Sequence, residues 1–108
     1  MALLASPKYQ FKDALIHAAP DDPGVYALYF GDDLLYIGAA RGWNSADTIR
    51  SHLLAHVRGE AKPSMATHYK WELHRNPDMR LTEILAMLEP KMPPYNRPQA
   101  EGDERAGN

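Results

Sequence analysis

Two apolar, tyrosine-bearing runs separated by three polar residues constrain this chain most: Val25 to Phe30 and Leu34 to Gly38, with Gly31-Asp32-Asp33 between them. Both runs are rich in aromatic and branched residues, the composition of a β-strand. A connection this short lets the strands pair only as an antiparallel hairpin. Side chains alternate across a strand, so loop length decides which residues share a face. A three-residue loop pairs Phe30 with Leu34 and Leu28 with Tyr36. It puts Tyr26, Leu28, Phe30, Leu34 and Tyr36 on one face, and Val25, Ala27, Tyr29, Leu35 and Ile37 on the other. Tyr26 and Tyr36 then become diagonal neighbours about 7 Å apart. A two-residue loop would send them to opposite faces. Both faces are apolar, so the sheet needs helical cover on each side.

The remaining pattern supplies that cover. Phe11, Leu15 and Ala18 at helical spacing predict a short helix over residues 9–19, ended by Pro20 and Pro23. A second helix is expected over about residues 47–58, with Asp47 or Ser45 as its cap, a core stripe of Ile49, Leu53 and Val57, and Gly59 as its stop. Residues 67–74 alternate as a third strand, with Tyr69, Trp71 and Leu73 on one face and Asn76-Pro77-Asp78 as a breaker. Residues 79–89 carry the clearest helical pattern, Leu81, Ile84, Leu85 and Leu88, ended by Pro90. The stretch "PKMPPYNRP" reads as extended, and residues 98–108, poor in apolar side chains, as a disordered tail. The expected organisation is a lead-in with a short helix over 1–22, a globular unit over 23–97, and the tail. The fold class is α/β of the α+β kind: a small, three-stranded, mainly antiparallel sheet with helices on both sides.

With 108 residues, 44% of them hydrophobic, the chain suffices for one core. It has no cysteine, which removes disulfides and thiolate metal sites and fits a reducing cytoplasm. No apolar run approaches the roughly 18 residues of a membrane span, so no membrane association is expected. A net charge of −2 gives no global argument for binding nucleic acid. The distribution says more. From Ala39 to Arg80 there are seven Lys or Arg against four acids, together with His52, His56, His68 and His74. Such a surface attracts phosphates at short range, although a mixed solvated surface explains the same counts.

The order of features is more specific than any one of them. Gly24-Val25-Tyr26 is followed, after nine residues, by Tyr36-Ile37-Gly38. Then come a helix with Arg and His, a third strand, a helix with Glu83, and a late Asn96. This succession resembles the GIY-YIG nuclease domain family over Gly24 to Asn96. The segment "ATHYKWE", Ala66 to Glu72, is similar to the third strand of the small stand-alone bacterial members. The resemblance implies metal-dependent hydrolysis of phosphodiester bonds in DNA, branched or damaged DNA included, by a water nucleophile. It also implies a Mg²⁺ or Mn²⁺ cofactor; a stand-alone domain lacks appended DNA-reading modules, so it either reads DNA structure itself or takes its specificity from a protein partner.

Carried over residue by residue, the resemblance makes Glu83 the metal ligand, Tyr26 the group that deprotonates water, and Tyr36 an orienting hydroxyl. Asn96 becomes a brace, and Gly38 a point of close backbone approach. His56 matches a helix histidine that contacts the phosphate or the tyrosine hydroxyl. Aligning Leu53 and His56 with the family helix places His52 where an arginine is expected. Arg50 lies about 200° further round the helix and becomes a phosphate contact only if the helix register shifts, and Arg41, in the loop after "YIGAA", is a second candidate phosphate contact. A histidine lacks the bidentate fork of arginine, so a second reading stands beside the first: a catalytically impaired module that binds nucleic acid or a protein partner. The spacing of "HLLAH" also suits a zinc pair, with His68 and His74 as further ligands. Leu53 stands there where a zinc protease has Glu, and no thiolate is available.

Overall fold

The computed structural model describes residue 3 and residues 6–96. The hairpin forms where the two tyrosine-bearing runs predict it, as β2 (Gly24–Phe30) and β3 (Asp33–Ala40). Before it come β1 (Tyr9–Gln10) and a single helical turn, α1 (Asp13–Ile16). After it come α2 (Ile49–Val57), β4 (His68–Leu73), α3 (Pro77–Leu88) and a 3₁₀ turn over Pro94–Asn96. All strand pairs are antiparallel, in the order β1-β4-β2-β3.

The sheet thus has four strands rather than three. The fourth is β1, drawn from the segment expected to be helical. Tyr9 pairs with Tyr69 and Gln10 with His68, covering part of the outer edge of β4. The Tyr9 and Tyr69 rings pack 5.5 Å apart. Phe11 is buried either way, so helical spacing alone did not separate the two conformations. Without a side-chain cap at Lys12, the helix lasts only four residues.

The hairpin reaches the expected site register by a different route. Its loop is only Gly31-Asp32, closed by the pair Phe30↔Asp33, and Gly31 has φ +62°, a conformation that glycine takes without strain. Tyr29 pairs with Leu34 and Leu28 with Tyr36, which leaves Leu35 without a cross-strand partner as a β-bulge. The extra residue restores what the short loop would have lost. Tyr36 returns to the face of Tyr26 and Leu28. Leu34 does not, and packs on the opposite face with Val25, Ala27, Tyr29 and Ile37.

Each face of the sheet has its own core. On one, Tyr26, Leu28 and Tyr69 pack against Phe11, Ile16, Ile49 and Leu53 under α1 and α2. On the other, Val25, Ala27 and Ile37 pack against Leu3 and Ile84, with Leu81 and Leu88 of α3 alongside. Fully burying one such aliphatic side chain contributes about 1.5–3 kcal/mol, so both layers are needed to hold β2 in the middle.

Capping fixes where the helices begin. At α2 the cap is Thr48, not Asp47 or Ser45: its hydroxyl accepts the Ser51 N–H at 3.2 Å while Ser51 Oγ accepts the Thr48 N–H at 2.9 Å. This reciprocal pair leaves the Asp47 carboxylate available for another partner. Asn76-Pro77-Asp78 starts α3 rather than merely ending β4, with Asn76 Oδ1 accepting the Met79 N–H and Pro77 in the first turn. Pro94–Asn96, expected to be extended, forms the 3₁₀ turn. The tail expected to be disordered, residues 98–108, lies outside the described residues. Among the described residues no helix is long and apolar enough to cross a membrane.

Candidate functional site

The bulge at Leu35 and the pairing of Tyr26 with Gly38 bring both phenols to the α2 side of the sheet, with ring centroids 6.1 Å apart. Tyr26 is 2% exposed, and its hydroxyl reaches two histidines of α2. Tyr26 Oη lies 3.2 Å from His52 Nδ1 and 3.1 Å from His56 Nε2. The histidines are one helical turn apart, so their rings project side by side toward the same phenol. His56 also packs against the Tyr36 ring, with centroids 5.4 Å apart.

The outer ring nitrogens of the pair are held as well. His56 Nδ1 lies 3.0 Å from the Pro63 carbonyl oxygen, which can only accept, so Nδ1 carries the proton. His52 Nε2 lies 2.8 Å from Asp47 Oδ1. A chain of four hydrogen bonds therefore runs Asp47–His52–Tyr26–His56–Pro63.

Burial sets the proton affinities along this chain. It pushes the Tyr26 phenol well above its usual range, Tyr36 adds to the shift, and the positive charge of Arg41 opposes it. Burial lowers His56, with the neighbouring His52 adding to the effect and the Pro63 carbonyl opposing it. For Asp47, burial is the largest influence and acts upward. Hydrogen bonds from His52 and from the backbone of Arg41 and Trp43 outweigh it and hold the carboxyl below its usual range.

The cluster lines an open cleft of about 330 Å³ whose walls include Tyr26, Tyr36, Ser51, His52, His56 and Lys62. Lys62 is exposed and has no polar partner among the described residues. A cleft of about 410 Å³ between Pro7, Tyr9 and Trp71 is largely apolar and holds no converging set of titratable groups.

The other residues singled out in the sequence scatter. Arg41 follows β3 and holds Asp78 at the start of α3, with Nε at 2.9 Å from both carboxylate oxygens. Its guanidinium sits 5.4 Å from the Trp43 ring centroid. Arg50 turns away from the cleft, donating from Nε to the Ala19 carbonyl at 3.0 Å. Asn96 grips the edge of β3: its Oδ1 accepts the Ile37 N–H at 2.7 Å and its Nδ2 donates to the Ile37 carbonyl at 2.8 Å. His68 and His74 bond within their own segments, to Thr67 and Asn76.

Glu83 stands on α3, across the sheet from the two histidines, and does not line the cleft. Its Oε1 lies 3.3 Å from Arg80 Nη1, while Arg80 is held more closely by Glu72, at 2.8 and 3.2 Å. Among the described residues no three His, Cys, Asp or Glu side chains gather to hold a metal ion. Magnesium does not require such a cage, since it keeps most of its water and takes one or two carboxylates. The half-exposed Glu83 carboxylate suits it as a single ligand.

Asp47, Ser51 and Lys62 are members that sequence reasoning missed. The signal for Asp47 was present: once Thr48 and Ser51 are read as a capping pair, the aspartate before them is free. Nothing in the sequence points to Lys62.

No family model matches the sequence, and no curated protein does. Solved structures do. The chain is similar to the GIY-YIG N-terminal endonuclease domain of UvrC from Thermotoga maritima, solved bound to its catalytic divalent cation, magnesium. The TM-score is 0.57 at 19% identity, over 78% of this chain and 93% of that one. A point mutant of the same domain, also bound to its catalytic divalent cation, matches with a TM-score of 0.57 at 18% identity, over 79% and 93%. The chain therefore has a GIY-YIG-like α+β fold, as the two tyrosine motifs implied.

Proposed function

We propose that this chain is an endonuclease that hydrolyses phosphodiester bonds in DNA with the help of a magnesium or manganese ion. The observation that carries the reading is the Tyr26 hydroxyl between two histidines at an open cleft, on a GIY-YIG-like fold. The reaction needs an activated water, neutralisation of charge on the phosphate and help for the leaving oxygen. A divalent ion would supply the charge neutralisation; Glu83, the carboxylate that the resemblance assigns to it, lies across the sheet from Tyr26.

The chain's own groups handle the proton. A phenol whose ionisation is opposed by burial makes a poor base by itself at neutral pH. Tyr26 does not act by itself. As its oxygen takes a proton from water, its own proton passes to His56 Nε2, which burial keeps unprotonated and which lies 3.1 Å from the phenol. Tyr36 orients the phosphate or the water, and Lys62 at the cleft wall attracts the phosphate. Asn96 keeps β3, and with it Tyr36, in place.

Incubation with supercoiled plasmid and with branched DNA, in Mg²⁺ or Mn²⁺, tests the reading. Cutting is expected in the parent, with a loss of about 100-fold or more in Tyr26→Phe; an equal loss in Glu83→Ala would mean that an ion held there serves this cleft. A second reading, a binding module with impaired catalysis, is favoured by Glu83 on the far side of the sheet from the cleft and by the resemblance, which expects arginine where His52 stands. No cutting of either substrate, with salt-sensitive binding to DNA, would establish that alternative. Absence of DNA binding would turn it toward a protein partner.

A further inference from the structure

The hydrogen-bond chain through Tyr26 requires one proton more than its neutral members own. His56 Nδ1 must donate, because the Pro63 carbonyl 3.0 Å away can only accept. His52 Nε2 must donate, because the Asp47 carboxylate 2.8 Å away accepts. Between these ends Tyr26 Oη makes two further contacts, to His52 Nδ1 and His56 Nε2. Four bonds need four protons. Neutral His52, Tyr26 and His56 bring three.

Three groups could hold the fourth. A protonated Asp47 is disfavoured, because its other oxygen already accepts the Trp43 N–H at 3.3 Å and the backbone around it favours the ionised form. His56 is 3% exposed, and its ring nitrogens face a phenol and a carbonyl, with no carboxylate to balance a charge. His52 touches that carboxylate directly. Asp47 Oδ1 lies 2.8 Å from His52 Nε2, so Asp47 is the carboxylate placed to offset a charge on that ring.

We propose that Asp47 is a positioning residue that holds His52 as the imidazolium, its Nδ1–H donated to Tyr26, so that the phenolic proton is committed to His56. The arrangement gives the proton path of the nuclease reading a direction, and in this respect the inference rests on that reading. It also sets a cation at the helix position where the family resemblance places arginine. Asp47 touches no substrate. It acts through His52, and it is free to do so because Thr48 and Ser51 cap α2 without it.

Nitrogen-15 spectra of the imidazole rings in the full chain at pH 7 test this without any substrate. In the parent protein His52 is expected to carry protons on both ring nitrogens and His56 on Nδ1 alone. Asp47→Asn keeps an oxygen opposite Nε2 and removes the charge. His52 should then lose its Nδ1 proton, and Asp47→Glu should restore it. DNA cleavage should fall at least about tenfold in Asp47→Asn and recover in part in Asp47→Glu. A single ring proton on His52 in the parent, or two that survive Asp47→Asn, overturns the inference. The spectra separate its fate from that of the nuclease reading. Two protons without any DNA cutting uphold the Asp47–His52 pair and sink the enzyme, whereas cutting with a singly protonated His52 does the reverse.

Discussion

Tyr26 and Gly38 face each other directly across β2 and β3, and the tyrosine ring lies where a side chain at position 38 would be. A Cβ there would stand 2.5 Å from the Tyr26 hydroxyl oxygen and 2.8 Å from Tyr36 Cε2. The close approach that glycine permits is thus made by the protein's own phenol. Gly38→Ala should force the ring aside and destabilise the fold by about 1–3 kcal/mol, the usual cost of overpacking. Urea denaturation measures this. Because the displaced hydroxyl leaves His52 and His56, DNA cutting should fall further than the unfolded fraction accounts for. A variant as stable and as active as the parent would mean that the ring does not need this space.

The buried histidine makes stability depend on pH. Burial lowers His56 in the folded chain, so the unfolded state binds its proton at a higher pH than the folded state does. Unfolding then takes up a proton as the solution is acidified, and stability rises with pH through this window. The contribution is complete above the ordinary histidine value of about 6.5 and is lost as pH falls below it. Thermal melts between pH 5 and 8 should show a fall on the acid side that is smaller in His56→Gln. An unchanged acid slope in the variant would assign the effect to other groups.

Much of this architecture was legible because it rests on local pattern. The hairpin, α2 and α3 follow from periodicity and from glycine and proline at their ends. The parts that were not legible depend on relations across the chain. A bulge at Leu35 cannot be told from a longer loop when both give the same register at Tyr36. Strand β1 exists because β4 offers it an edge, which no spacing within residues 9–19 reveals. At the site, Tyr26, Tyr36, His52 and His56 were each identifiable, but the joining of Tyr26, His52 and His56 into one chain with Asp47 and Pro63 depends on how α2 lies across the sheet. Arg50 illustrates the converse: its charge suggested a phosphate contact, and its guanidinium instead ties α2 to the turn after α1.

Asn96 is tied to the edge strand rather than to the cleft. Its amide mimics a strand partner for Ile37, taking the N–H at 2.7 Å and giving to the carbonyl at 2.8 Å. Asn96→Ala should cost about 1–3 kcal/mol, the sum of two such bonds at a partly buried position. Hydrogen exchange of the Ile37 amide should speed up well beyond the global change. Asn96→Asp keeps the acceptor for the Ile37 N–H but sets a carboxylate against the carbonyl, so it should recover little. If the Ile37 amide stays protected in both variants, the bracing role is wrong.

Arg80 couples the two carboxylates on the α3 side of the sheet. Its guanidinium meets Glu72 at 2.8 and 3.2 Å and Glu83 at 3.3 Å, and the Glu72 and Arg80 side chains are only 11% and 18% exposed. Removing one partner of a largely buried pair strands the other charge. Arg80→Ala should therefore destabilise by about 2–4 kcal/mol, less than for a fully dry pair because water still reaches this one. Arg80→Leu combined with Glu72→Leu removes both charges and should recover most of the loss. The same change frees Glu83 from its neighbouring cation, so on the nuclease reading the double variant should reach half-maximal cutting at a lower Mg²⁺ concentration than the parent. A metal requirement unchanged by the loss of Arg80 would count against Glu83 as the residue that holds the ion.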